Sequence, residues 1–104
     1  MDQNLIKVRI IEAIRKKDSG AEVYLFGSRA RGDNQPDSDW DILILVDDEK
    51  VTLDTEDKFI DELYDLELES GQIITSFIYP KEYWKQYLMY SPLYRNVIRE
   101  GIRL

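Results

Sequence analysis

The sequence predicts an α/β (α+β) fold, a small mixed β-sheet packed by helices. Three observations lead there. Apolar runs of strand character, at 21–26, 38–47 and 72–79, are separated by segments whose apolar residues recur every three to four positions. Turn chemistry (Asp18-Ser19-Gly20, Gly32 to Asp37, Asp47 to Lys50, Gly71) falls between those segments and not inside them. No repeat, linker or low-complexity stretch interrupts the alternation, so residues 1–104 read as one domain.

Each element has its own signal. Residues 3–17 form an amphipathic helix with Ile6, Val8, Ile10, Ala13 and Ile14 near one side. Asp18-Ser19-Gly20 stops it, with Gly20 suited to a left-handed C-terminal position. Val23 to Phe26 is continuous and β-prone, a buried strand. Gly27-Ser28 follows without a spacer; Ser28 is a candidate N-cap for a short turn over Arg29-Ala30-Arg31. In the second strand, Asp39, Asp41, Leu43 and Leu45 fall on one face and Trp40, Ile42, Ile44 and Val46 on the other. Residues 54–69 are helical, with Phe59, Ile60, Leu63 and Leu66 inward and acids outward, ended by Gly71. The third strand is rich in Ile, Thr and Phe. Pro80 opens a helix carrying Tyr83, Trp84, Tyr87 and Leu88, and Ser91-Pro92 starts a last one, terminated by Gly101.

Composition narrows the chemistry. With 43% hydrophobic and 34% charged residues the chain is globular in type. It has no cysteine and no histidine, which excludes thiolate and Ser-His catalysis and His- or Cys-ligated metals. Any metal is then held by oxygen, which points to a hard ion such as Mg²⁺. The net charge is −7, and the excess lies in residues 33–70, with fifteen acidic side chains against two basic ones. That balance argues against nucleic acid as a partner, because phosphate contacts need Lys and Arg. The N-terminus is charged and amphipathic, and no apolar run approaches the roughly 20 residues that span a bilayer. The expected location is the cytoplasm, with no membrane partner.

The chemistry-bearing stretch is Phe26-Gly27-Ser28-Arg29-Ala30-Arg31-Gly32 followed by Asp39-Trp40-Asp41. Two aspartates at i and i+2 on a strand project from one face, where their charges repel unless a cation lies between them. Asp39 and Asp41 are therefore the candidate metal ligands and catalytic carboxylates. Two Mg²⁺ ions roughly 3.5–4 Å apart can activate a hydroxyl and stabilise a leaving pyrophosphate. A strand-to-helix corner aims backbone N–H groups at an anion, so Gly27 and Ser28 are candidate phosphate binders, with Arg29 or Arg31 to offset triphosphate charge. Each feature alone is an ordinary turn, strand edge or surface charge; the joint pattern between two apolar strands is what carries the functional reading.

Gly27-Ser28, ten residues, then Asp39-Trp40-Asp41 resembles the Gly-Ser-x10-Asp-x-Asp signature of the DNA polymerase β-like nucleotidyltransferase superfamily. The fuller text with Arg29, Arg31, Gly32, Ser38 and Ile42 resembles its minimal nucleotidyltransferase (MNT) branch. The resemblance implies a nucleotidyltransferase fold, metal on Asp39 and Asp41, and triphosphate on Gly27 and Ser28, with Arg31 as the further nucleotide-binding residue. It implies transfer of a nucleoside monophosphate, most often AMP from ATP, to an acceptor hydroxyl. It also implies pairing with a helical HEPN-type partner protein, in some members as the antitoxin of that pair. The family's third carboxylate belongs on the strand after the intervening helix, where this chain has no acid. The matching position is Thr75, with Ser76 as the register alternative. The readings are thus an active transferase, or an antitoxin-like binding module that acts by complex formation. The rings of Tyr79, Tyr83, Trp84, Tyr87, Tyr90 and Tyr94 are core and amphipathic surface, or the contact face for a partner or a second copy.

Overall fold

A computed structural model describes residues 1–104. Its elements run α1 (Gln3–Lys17), β1 (Glu22–Phe26), α2 (Ser28–Arg31), β2 (Trp40–Val46), α3 (Leu53–Ser70), β3 (Ile74–Pro80), α4 (Lys81–Tyr87), α5 (Pro92–Glu100) and β4 (Ile102–Arg103). The four strands form one mixed sheet in the order β3-β2-β1-β4. β1 is antiparallel to β2 and to β4, while β2 and β3 are parallel, joined through α3. This is the α/β arrangement the alternation predicts.

The alternation along β2 sorts the chain into two layers of core. Trp40, Ile42, Ile44 and Val46 point to the face covered by α1 and α3, where they meet Ile6, Ile10, Ile14, Phe59, Leu63 and Leu66. Leu43 and Leu45 point to the other face, where Phe26, Trp84 and Val97 close over them from β1, α4 and α5. Both faces of β2 are covered, which is why its sequence is a nearly unbroken apolar run. Asp39 immediately precedes β2 and Asp41 is its second residue, on the α4/α5 side at the end of the sheet where β1 stops.

The local differences from expectation have plain causes. In α1 the buried stripe is Ile6, Ile10 and Ile14, at strict four-residue spacing, while Val8 is exposed. In α3 Ile60 is likewise exposed, and Thr55 takes the inward position one turn before Phe59. α3 begins at Leu53 because Thr52 and Thr55 cap it reciprocally. α1 does not end on a left-handed glycine. Asp18 caps it in an extended conformation and its carboxylate accepts the Gly20 N–H at 3.0 Å, so the Asp side chain does the work expected of Gly20. β3 starts at Ile74, two residues later than the apolar run suggests, where its pairing with Trp40 of β2 begins. Gly101 ends α5 without a positive φ and leads into β4, which the sequence reading missed; two residues are too few to carry a periodic signal.

The aromatic segment divides. Trp84 is buried, with Tyr94 at 5.1 Å between ring centroids. Tyr83 and Tyr87 are exposed, their rings 5.2 Å apart, and Tyr90 is exposed beyond them. No helix is long and apolar enough to cross a membrane.

Candidate active site

The corner after β1 is built by glycine. Gly27 has φ +76° and ψ −161°, a conformation essentially reserved for glycine, and it caps α2 through its carbonyl, which accepts the N–H groups of Ala30 and Arg31. Ser28 is consequently the first residue of α2 and not its N-cap, a correction to the expected capping role. A Cβ at Gly27 would overlap the Asp41 carboxylate. That closeness follows from register: Phe26 pairs with Asp41, so the residue after Phe26 lies against the Asp41 side chain.

The same register carries across to β3. Asp41 pairs with Thr75, and the Thr75 hydroxyl donates to Asp39 Oδ2 at 3.3 Å. Of the two positions left open for the missing third acid, Thr75 is the one that faces the aspartates. No group of three acidic side chains close enough to hold an ion exists in the molecule. Glu67, on the intervening helix, is turned elsewhere and accepts the Ile74 N–H. The structure therefore gathers Gly27, Asp39, Asp41 and Thr75 at one end of three adjacent strands.

Electrostatics there is that of an unsatisfied pair. Partial burial, then the neighbouring Asp39 charge, pushes Asp41 above the usual carboxylate range, while Arg31 opposes the shift and Glu100 adds to it. Two oxygen donors arranged so that charge is costly fit a hard divalent cation, which would relieve the repulsion. Asp39 and Asp41 are the side chains that would hold it.

The two arginines of the corner, left as alternatives by the sequence, have separate roles. Arg29 is buried. Its Nη2 donates to Ser38 O at 2.9 Å, Gln72 Oε1 at 2.9 Å and Pro36 O at 3.1 Å, and its guanidinium lies 4.7 Å from the Trp40 ring centre. Gln72 Oε1 also accepts the Trp40 indole N–H at 3.3 Å. Arg29 thus ties the 33–38 loop to the start of β2 and fixes where the aspartates emerge; it is not available to a ligand. Replacing Arg29 by alanine is expected to cost about 3 kcal/mol, because three acceptors lose a charged donor fork, and Arg29→Lys should recover only part of it. Urea unfolding followed by Trp fluorescence measures both.

Arg31 is exposed and stands over the corner. Its Nη1 donates to Glu100 Oε2 at 3.0 Å and its Nε to Asp33 Oδ2 at 3.1 Å. Glu100, the last residue of α5, also accepts the Gly27 N–H through Oε1 at 3.1 Å. Nothing in the sequence marks it, since it lies 73 residues from Gly27 and arrives only through the pairing of β4 with β1. The Arg31 hydrogen bond, then that of Gly27, holds Glu100 below its ordinary value of 4.5 despite burial. A lowered carboxylate stabilises the fold above its unfolded value and loses that contribution as the pH falls through its folded value. Acid unfolding of the wild type should therefore steepen below about pH 4.5, and Glu100→Gln should remove that component; urea midpoints taken down to about pH 3 measure it.

The site is an open surface. The concavities of the molecule lie elsewhere: one of about 550 Å³ between residues 47–49 and 80–85, one of about 430 Å³ beside it near Val51 and Tyr83, and one of about 230 Å³ between α1 and α3.

Comparison with known proteins bears on the family and the fold. Residues 7–102 match the family model described as a nucleotidyltransferase domain. A Methanocaldococcus jannaschii protein named "Putative protein adenylyltransferase" is 34% identical over 93 residues, covering 88% of this chain and 86% of that protein. A toxin–antitoxin crystal structure with AMP-PNP superposes with a TM-score of 0.68 at 19% identity, covering 93% of this chain and 70% of that one. A mutant of the toxin–antitoxin MntA-HpeT gives 0.65 at 20%, covering 94% and 70%. At those identities the last two speak to the fold.

Proposed function

The chain belongs to the nucleotidyltransferase domain family, and from that membership we propose that it binds a nucleoside triphosphate, ATP by preference, with Mg²⁺ on Asp39 and Asp41, and transfers the nucleoside monophosphate to a hydroxyl of a partner protein. The observation that carries the reading is the shared end of β1, β2 and β3, where Phe26, Asp41 and Thr75 are in register and Gly27 abuts the Asp41 carboxylate. That adjacency supports reading the corner and the carboxylate pair as parts of one site.

In the reaction the acceptor oxygen forms a bond to the α-phosphorus, the bond from that phosphorus to the bridging oxygen breaks, and pyrophosphate leaves. Bound Mg²⁺ supplies charge neutralisation of the phosphates and polarisation of the acceptor hydroxyl. Gly27 N–H and the Arg31 guanidinium bind phosphate oxygens. Thr75 Oγ1 holds the Asp39 carboxylate in place by donating to it. A threonine hydroxyl is no base near neutral pH, so the acceptor proton passes to water across the open face. That openness also supports an acceptor brought by another protein, of the helical HEPN type or a second copy of this chain, since the chain itself offers no enclosed acceptor pocket there. The test is incubation with α-labelled ATP, Mg²⁺ and the candidate partner. Label on the partner is the expected result; binding without label at any Mg²⁺ concentration would overturn transfer.

One observation favours a second reading, an antitoxin-like module that acts by complex formation alone. It is Thr75 at the position where a third carboxylate would complete the site. On that reading the partner complex survives replacement of both aspartates, and no label is transferred.

A further inference from the structure

Glu100 has no part in the proposed chemistry, yet its carboxylate bonds both the Gly27 N–H and the Arg31 guanidinium, and its position is highly determined. β4 pairs with β1 through Leu25–Ile102 and Tyr24–Arg103; the same antiparallel register, continued two residues, sets Glu100 opposite Gly27. Gly101 makes the join possible: its N–H bonds Val97 O, and a Cβ there would run into that carbonyl. The Leu104 N–H closes the edge on Val23 O at 2.9 Å. The strand that ends in the phosphate corner therefore itself anchors the segment that delivers Glu100 to it.

The two Glu100 oxygens are each engaged. Oε1 accepts the Gly27 backbone N–H, and Oε2 accepts from Arg31 Nη1. Its side chain is only 10% exposed, against 46% for Arg31. A backbone N–H and a guanidinium presented to two oxygens of one anion are the donor set the proposed function assigns to a nucleotide phosphate. Glu100 does not complete the metal site, because it forms no ion-holding group with Asp39 and Asp41. We propose that the Glu100 carboxylate is an internal occupant of the phosphate corner, seated there in the nucleotide-free chain and exchanged for a phosphate group when nucleotide binds. The inference rests on the nucleotide-binding reading of the site and concerns its regulation. Nucleotide affinity is then reduced by the fraction of chains in which the corner is closed. Release of Glu100 also unpins the end of α5 and the two-residue β4, so the C-terminal segment responds to nucleotide. A partner that binds that segment would open the corner.

The experiment is Mg-ATP titration of the wild type, Glu100→Asp, Glu100→Gln and Asp33→Asn. Calorimetry gives Kd, and the Gly27 backbone amide resonance reports occupancy of the corner. Thermal melts verify folding, and the Asp variant keeps the charge should the Gln variant fail to fold. Asp at this position is one methylene too short to hold both donors, so both Glu100 variants should bind ATP on the order of tenfold more tightly, with Asp33→Asn close to the wild type. Tightening in Glu100→Gln and Asp33→Asn alone would assign the effect to general charge and overturn the exchange. Weaker binding in both Glu100 variants would make Glu100 a support of the corner and also overturn it. Equal Kd in all four, with the Gly27 resonance moving, would remove the exchange and leave the nucleotide reading standing. Absence of ATP binding in all four would remove both.

Discussion

Replacing Asp39 and Asp41 together by asparagine is expected to reduce nucleotidyl transfer by about a thousandfold or more while leaving the protein folded. The magnitude follows from the several kcal/mol that a bound divalent ion contributes to stabilising transferred phosphate, at about 1.4 kcal/mol per factor of ten. The stability side has the opposite sign. Asp41 is raised by partial burial and by Asp39, so in the metal-free chain its ionisation opposes folding. The native state holds that proton more tightly than the unfolded one. The contribution of Asp41 to stability is therefore greatest below the ordinary Asp value of 3.8 and declines as pH rises through the raised value. At neutral pH, without metal, the asparagine variant should melt at a higher temperature than the wild type. Added Mg²⁺ should raise the melting temperature of the wild type and not of the variant. A variant that melts lower without metal would place the aspartates in a supporting role for the fold.

Gly27→Ala is expected to damage stability and site together. At φ +76° and ψ −161° an alanine is strained by about 1–3 kcal/mol. Its Cβ also lands on the Asp41 carboxylate, which must turn out of the position that the β1–β2 register gives it. The sum is about 2–4 kcal/mol, with nucleotide binding lost as well. Gly32→Ala separates the two causes. Gly32 has φ +85° but nothing within 4 Å of an added Cβ, so it carries only the backbone cost, near 1 kcal/mol. Urea midpoints for the two variants, with ATP binding beside them, measure the difference. Equal losses would mean that the Asp41 side chain moves aside freely.

Much of the fold was legible because burial writes itself into local patterns. The unbroken run from Ile42 to Val46 demanded cover on both faces, and the four-residue spacing of Ile6, Ile10 and Ile14 supplied one of the helices that cover it. Val8 and Ile60 depart from the periodic pattern because an apolar residue at the margin of a helical stripe tips inward or outward according to its neighbours, which periodicity does not record. The residue type of Ser28 suits a cap, but the strand pairing puts the strained residue one earlier, at Gly27.

The candidate site divides in the same way. Gly27, Ser28, Asp39 and Asp41 are recognisable in the chain because a sharp corner and a carboxylate pair each need particular residue types at short spacing. The family resemblance implies a third acid on the strand after the intervening helix, and counting from Gly71 narrows its position to Thr75 or Ser76. Choosing between them needed the β2–β3 register, a pairing across 34 residues. The separate duties of Arg29 and Arg31 were also invisible beforehand, since both are arginines two positions apart. Their partners (Gln72 and the 33–38 loop for one, Glu100 for the other) are assembled by packing. Glu100 itself is the extreme case. Short-range sequence signals come from residues that must satisfy one another within a turn or a strand, whereas a contact between positions 27 and 100 exists only once a two-residue strand has found the edge of a sheet.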